Sequence, residues 1–248
     1  MVELIRRHTA PVHVAHRPDP ARAVITLSWQ VRCDWLALLA RADLRGRQAD
    51  DLDEKLAAID LFEDLAREQR CWDHARPFAS PQTRFAYFQG RDVAPEVALY
   101  DDTWGEVFLM SGLPGAGKDT WLATHEADRP QVSLDAIREV LQIAPTAHQG
   151  RVAQVAREEA RQHLRARRPF VWNATNTTVH HRRELVRLFA DYGARVRIVY
   201  VDVAPGTAIA RQVGRARRVP ARVITQLAAK LEVPDTTEAH RVEWVAGE

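Results

Sequence analysis

The chain has 248 residues, of which 46% are hydrophobic and 27% charged, with a formal net charge of +2. This excludes a mainly disordered chain and suits one domain of ordinary size with a smaller companion. The near-neutral total hides an asymmetry: residues 151–230 hold 17 basic against five acidic side chains, which points either to a polyanionic partner or to a solvated basic face.

Of the 35 Lys and Arg residues only Lys55, Lys118 and Lys230 are lysine. Cys33 and Cys71 show neither CxxC nor zinc-type spacing, so neither a disulfide framework nor a metal site is expected. The start, MVELIRRH, has no apolar run, and about 18 consecutive apolar residues occur nowhere. A soluble, cytoplasmic protein without a membrane span is expected.

The first hundred residues read as mostly helical. Residues 21–47 carry apolar side chains on one helical stripe, with Gly46 near its end. Residues 50–71 form a second candidate, with Asp50 and Asp51 as caps. In it Leu52, Leu56, Ile59, Phe62 and Leu65 recur at spacings of three and four. Both stripes read as packing. Residues 72–105 contain Pro77, Pro81 and Pro95 and read as a connector with one short helix at 81–89.

The pattern then changes. EVFLMS (106–111), FVWNA (170–174) and ARVRIVYVD (194–202) are short apolar strand candidates. Helical stretches lie at about 118–127, 135–143, 149–168 and 180–190. Strands alternating with helices predict an α/β domain with a central parallel sheet over 101–248, preceded by a smaller helical region over 1–100.

The strongest chemical signal is the run from Gly112 to Thr120, GLPGAGKDT. It follows an apolar strand and opens a helix, the setting of a phosphate-binding loop. Gly112, Gly115 and Gly117, with Ala116 between them, let the backbone curl its N–H groups around a phosphate. The helix start adds a positive dipole end, and Lys118 reaches the β- and γ-phosphates. The usual motif places Ser or Thr directly after the lysine to ligate Mg²⁺. Here Asp119 stands there and Thr120 follows, so Asp119 or Thr120 is the candidate metal ligand.

Three further signals lie downstream. Asp135, in SLDAIR, is either a helix N-cap or, beside a phosphate loop, the carboxylate that accepts a proton from an attacking hydroxyl. Arg138, one turn on, suits a phosphate of the acceptor. Asn173-Ala-Thr-Asn176 ends the FVW strand in amides where a metal carboxylate often stands; it is either an Asx turn or a substrate-positioning group. Arg211 and Arg215 are four apart, so they can share a helix face and clamp donor phosphates, or simply be solvated.

These residues carry a resemblance. GLPGAGKDTW, LDAIR, the ATN tripeptide and the R-x-x-x-R…VP segment resemble the P-loop polynucleotide 5′-hydroxyl kinases over about residues 105–246. The resemblance implies Asp135 as general base, Arg138 at the acceptor, Lys118 at the donor, and Arg211 and Arg215 as lid residues; Asn176, in its substrate-positioning reading, is expected at the acceptor beside Arg138. It also implies Mg²⁺ with ATP or another NTP as cofactors, and RNA or DNA with 5′-OH ends as partner. RCDWLALLARADLRGR, RPFASPQTRFAYF and YDDTWGEV further resemble the bacterial HD-Pnk proteins, which fuse a metal-dependent HD phosphohydrolase to such a kinase. No His-Asp dipeptide occurs, Asp73-His74 running the other way. Residues 1–100 therefore resemble only the tail of an HD domain plus linker, and no phosphatase activity is expected. The rival expectations are a small-molecule P-loop kinase acting on a sugar, nucleoside or antibiotic hydroxyl, and a non-catalytic NTP-binding module.

Overall fold

The computed structural model describes residues 2–48, 51–143, 149–213 and 218–247. It divides into two compact units, Met1–Leu99 and Tyr100–Glu248.

Among the described residues the first unit is helical: α1 (Val2–Arg7), α2 (Ala10–Val14), α3 (Pro20–Ser28), α4 (Cys33–Arg45), α5 (Leu52–Glu68) and α6 (Pro81–Phe88). The single stripe expected over 21–47 is thus two helices. The break has a tertiary cause: Trp29 Nε1 donates to the Arg76 carbonyl, and the Asp34 amide to the Trp72 carbonyl. The chain bends where it is held against residues 72–78. Asp51 is the N-cap position of α5 but makes no capping bond, pairing instead with Lys55; Asp50 lies outside the described residues. Ile59 and Phe62 are fully buried with Ile25, Leu36 and Ala40, while Leu52, Leu56 and Leu65 pack around that core. Ser80 caps α6 by accepting from the Thr83 amide.

The second unit is a five-stranded parallel sheet with helices in its connections. Its elements are β1 (Glu106–Ser111), α7 (Lys118–His125), β2 (Gln131–Ser133), α8 (Leu134–Val140), α9 (Gln149–Arg165), β3 (Val171–Asn173), α10 (Val179–Asp191), β4 (Arg195–Asp202), α11 (Pro205–Ala210), α12 (Ala221–Ala229) and β5 (Arg241–Ala246). The strand order is β2-β3-β1-β4-β5. Central β1 is buried from Val107 to Ser111, as a strand flanked on both sides must be. β5 was not expected from the sequence. It is an edge strand whose side chains are only half buried, and Arg241 and Glu243 interrupt its apolar residues.

Strand order reverses at β1, whose neighbours are β3 and β4. The chain leaves the carboxyl end of β1 at this switch point, where open α/β sheets bind ligands. The loop after β3 is braced by Arg182 on α10. This arginine is fully buried, donates to both carboxylate oxygens of Glu238 at 2.7 and 2.9 Å, and donates to the Asn176 carbonyl at 3.1 Å. Removing one partner of such a pair leaves a buried charge, at a cost of about 3–5 kcal/mol.

Candidate functional site

The glycines of the loop after β1 are required by their surroundings. Gly112 has φ 138°, and a Cβ there would lie 2.6 Å from the Val201 carbonyl oxygen; its amide donates to the Thr175 carbonyl at 2.9 Å. Gly115 has φ 84°, and its Cβ would lie 2.5 Å from Gln212 Nε2 and 2.7 Å from the Ala208 oxygen. The loop is therefore wedged between the end of β4 and α11. Gly117 is the left-handed N-cap of α7. The Ala116 side chain is buried in the cluster with Phe108 and Met110.

Lys118 opens α7, and its Nζ donates to the carbonyls of Gly112 and Leu113 at 3.0 and 2.9 Å. The cation thus lies within the curl of the loop. Arg211 is the C-cap of α11; its guanidinium donates to the carbonyls of Ala116 at 3.2 Å and Gly247 at 3.3 Å, and reaches that of Gly115 at 3.5 Å. Two cations therefore gather on one loop. Arg215, expected to share a helix face with Arg211, lies outside the described residues.

Asp119 and Thr120 are exposed on the first turn of α7. Asp119 Oδ1 accepts from Asn173 Nδ2 at 2.8 Å, and Nδ2 also reaches Gln131 Oε1 at 3.4 Å. Asn173, the last residue of β3, thus joins the start of α7 to Gln131, the first residue of β2. Among the described residues no group of three or more His, Cys, Asp or Glu could hold a metal. One carboxylate beside a phosphate site nevertheless suits Mg²⁺, which keeps several waters and takes one or two carboxylates with substrate phosphates.

Asp135 is not the cap of its helix. Ser133 fills that place, accepting from the Ala136 amide, and α8 starts one residue before the expected 135. This leaves the Asp135 side chain 86% exposed on the first turn at the carboxyl end of β2, ion-paired with Arg138. The structure therefore places Lys118, Asp119, Thr120, Asp135 and Arg138 at the carboxyl edge of one sheet.

Asn176 departs from expectation. It has φ 42° and is buried; its Nδ2 donates to the Met110 carbonyl at 2.7 Å, and its own carbonyl accepts from Ser111 Oγ at 3.0 Å. Its amide nitrogen is thus held by the backbone of β1. Sequence reasoning also missed two features here. One is Arg182, whose spacing of three, four and seven from the buried Leu185, Val186 and Phe189 marks it as inward-facing. The other is Gly247 after β5: its amide donates to the Asp202 carbonyl at 2.7 Å, and a Cβ would lie 2.5 Å from the Ala116 oxygen. Burial pushes the Glu238 carboxyl up, against the opposing pull of Arg182.

The AAA_33 family model, described as an AAA domain, matches residues 107–234, just over half of the chain. The chain belongs to this family. The AAA_33 match contains the whole of the loop from Gly112 to Thr120 together with Asp135, Arg138, Asn173 and Arg211, whereas β5 follows it. With its P-loop at the switch point of a five-stranded parallel sheet, this AAA_33 domain has a P-loop kinase-like fold, preceded by the helical unit.

No curated protein matches the chain. Among solved structures, a protein of Chloroflexus aurantiacus described provisionally as a kinase is 18% identical, with 58% of this chain and 86% of that one covered and a TM-score of 0.47. A chain of the Pnkp1/Rnl/Hen1 RNA repair complex is 17% identical, with 60% and 52% covered and a TM-score of 0.46. A gluconokinase from Sinorhizobium meliloti is 18% identical, with 58% and 84% covered and a TM-score of 0.41. This chain thus spans about half of the repair-complex chain it matches, and at such similarity none of the three bears on the substrate. No described helix is long and apolar enough to cross a membrane.

Proposed function

We propose that the chain is a Mg²⁺-dependent kinase that moves the γ-phosphoryl group of ATP or another NTP to a 5′-hydroxyl end of RNA or DNA. The observation that carries the reading is Asp135: an exposed carboxylate, paired with Arg138, at the same sheet edge as the phosphate loop. Phosphoryl transfer to an alcohol needs such a proton acceptor, and it needs little else from the protein beyond positioning and charge.

In this reading the loop amides and Lys118 hold the donor phosphates, Lys118 exchanging its carbonyl contacts for phosphate oxygens. Asp135 takes the proton of the 5′-hydroxyl as its oxygen bonds to the γ-phosphorus and the bond to the β–γ bridging oxygen breaks. Arg138 holds a phosphate of the acceptor strand. Lys118 and Arg211 stabilise charge on the transferring group, with Arg215 as a second lid residue. Asp119 and Thr120 offer hard oxygen donors to Mg²⁺, which when bound neutralises charge on the β- and γ-phosphates. The basic surface supports a polyanionic acceptor: Arg183 and Arg187 are exposed and four apart on α10. Residues 1–100 are assigned as the tail of an HD domain with its linker, without phosphohydrolase activity, and 101–248 as the kinase domain.

The test is an NTP labelled at the γ-phosphate, offered with a 5′-OH oligonucleotide, free nucleosides or a sugar. Label should enter the oligonucleotide. Asp135→Ala should lower that rate by about 10²–10⁴-fold with NTP affinity unchanged. Label only on nucleoside or sugar would overturn the acceptor assignment. Binding without any product would leave an NTP-binding module.

A further inference from the structure

The site departs from the usual P-loop arrangement at two positions at once. Ordinarily a Ser or Thr after the loop lysine and an Asp at the end of a neighbouring strand share the metal. Here residue 119 is Asp, and β3, the neighbour of β1, ends in Asn173. The fold brings these two together, 54 residues apart in sequence, with Asn173 Nδ2 donating to Asp119 Oδ1 at 2.8 Å.

We propose that the two positions have exchanged roles. Asp119, on the first turn of α7, supplies the carboxylate oxygen to the divalent cation of a bound nucleotide, and Asn173 is the positioning residue that pins that carboxylate. Either arrangement gives the site one negative charge and one neutral partner, so the exchange preserves the charge that the cation meets. A second carboxylate would add repulsion against the phosphates, and none would leave only neutral donors.

The geometry favours Asn173 in the pinning role. Its Nδ2 faces two acceptors, Asp119 Oδ1 and Gln131 Oε1, which fixes the orientation of the amide. Nδ2 takes Oδ1 of Asp119 and leaves Oδ2 for the cation. Mg²⁺ demands near-ideal octahedral geometry, so a ligand held in one orientation binds it better than a free one. A carboxylate in the first turn of a helix is also favoured by the helix dipole.

This inference rests on Mg²⁺-nucleotide binding at the loop but not on the nature of the acceptor. Its test is NTP affinity measured calorimetrically on the full chain with Mg²⁺ and with EDTA, the ratio of the two dissociation constants being the metal coupling. Asp119→Ser and Asp119→Asn should each lose about tenfold or more of the coupling, and Asn173→Ala about tenfold. Asn173→Asp alone should weaken Mg²⁺-nucleotide binding. The double variant Asp119→Ser/Asn173→Asp should return the coupling to within about threefold of the natural protein. Far-UV circular dichroism checks that each variant is folded; Asp119→Asn, nearly isosteric, covers the case in which the serine variant is not.

Full coupling in Asp119→Asn, or a double variant no better than Asp119→Ser, would overturn the exchange. If the rescue is seen while no 5′-OH oligonucleotide is phosphorylated, the exchange stands and the acceptor assignment falls. If oligonucleotides are phosphorylated while the Asp119 variants keep full coupling, the reverse holds.

Discussion

Gly115 shows how tightly the phosphate loop is confined. With φ at 84° it is strained for any L side chain, and the atoms a Cβ would meet are a buried amide and a backbone carbonyl of α11. Gly115→Ala should destabilise the protein by about 1–3 kcal/mol and abolish measurable NTP binding. Urea unfolding and an NTP titration read the two effects, and native-like values in both would refute the fit described. Lys118 and the loop glycines could be read from sequence because each answers a local need, a curl of backbone around a phosphate. The bond between Asp119 and Asn173 could not, because no local rule links a helix start to the end of a strand 54 residues away. Asn176 misleads for the same reason: its residue type suits substrate contact, but its burial against β1 was decided by packing.

At the scale of elements, periodicity located the long segments and failed at their ends. α9 buries Val152, Ala156, Ala160 and Leu164 at intervals of four, a pattern visible in the sequence. His163 on the same helix stacks on Phe170 with ring centroids 5.3 Å apart, and its Nδ1 is buried without a partner. Burial, helped by the charge of Arg168 and opposed by Glu159, holds its imidazole below the usual 6.5. The folded protein therefore resists a proton that the unfolded chain accepts. Stability should be level above pH 6.5 and fall with acidification from there towards the depressed native value. Melting temperature measured from pH 7.5 to 5 reads this, and His163→Phe should flatten the decline. An equal decline in that variant would assign the effect to other groups. The break between α3 and α4 has no punctuating Gly or Pro, because contacts to residues 72–76 make it. β5 escaped notice because its Glu243 pairs with Arg197 of β4 and with its own Arg241 rather than joining an apolar core.

At the scale of the whole molecule, the +2 net charge averages two unlike parts. Several arginines of the basic segment are engaged locally: Arg157 pairs with Glu184, and Arg161 and Arg165 pair with Glu158. Arg183 and Arg187, by contrast, face solvent on α10. If the acceptor is a polynucleotide, its affinity should fall steeply with salt, and Arg183→Ala/Arg187→Ala should make the log–log slope shallower by about 1–2. NTP affinity should be unchanged. A salt-insensitive affinity, or a slope untouched by the double variant, would remove α10 from the acceptor track.

The sequence by itself determined the α/β class, the phosphate loop and its lysine, and the helical character of the first hundred residues. These depend on spacing along the chain, which periodicity and a contiguous motif express directly. Only the tertiary structure decided that Asn173 meets Asp119, that Asn176 turns inward, that Arg182 pairs with Glu238, that Arg211 folds onto the loop carbonyls, and that a fifth strand forms one edge of the sheet. Each of those depends on which distant segments the parallel sheet sets side by side, and the strand order carries that information while local spacing does not.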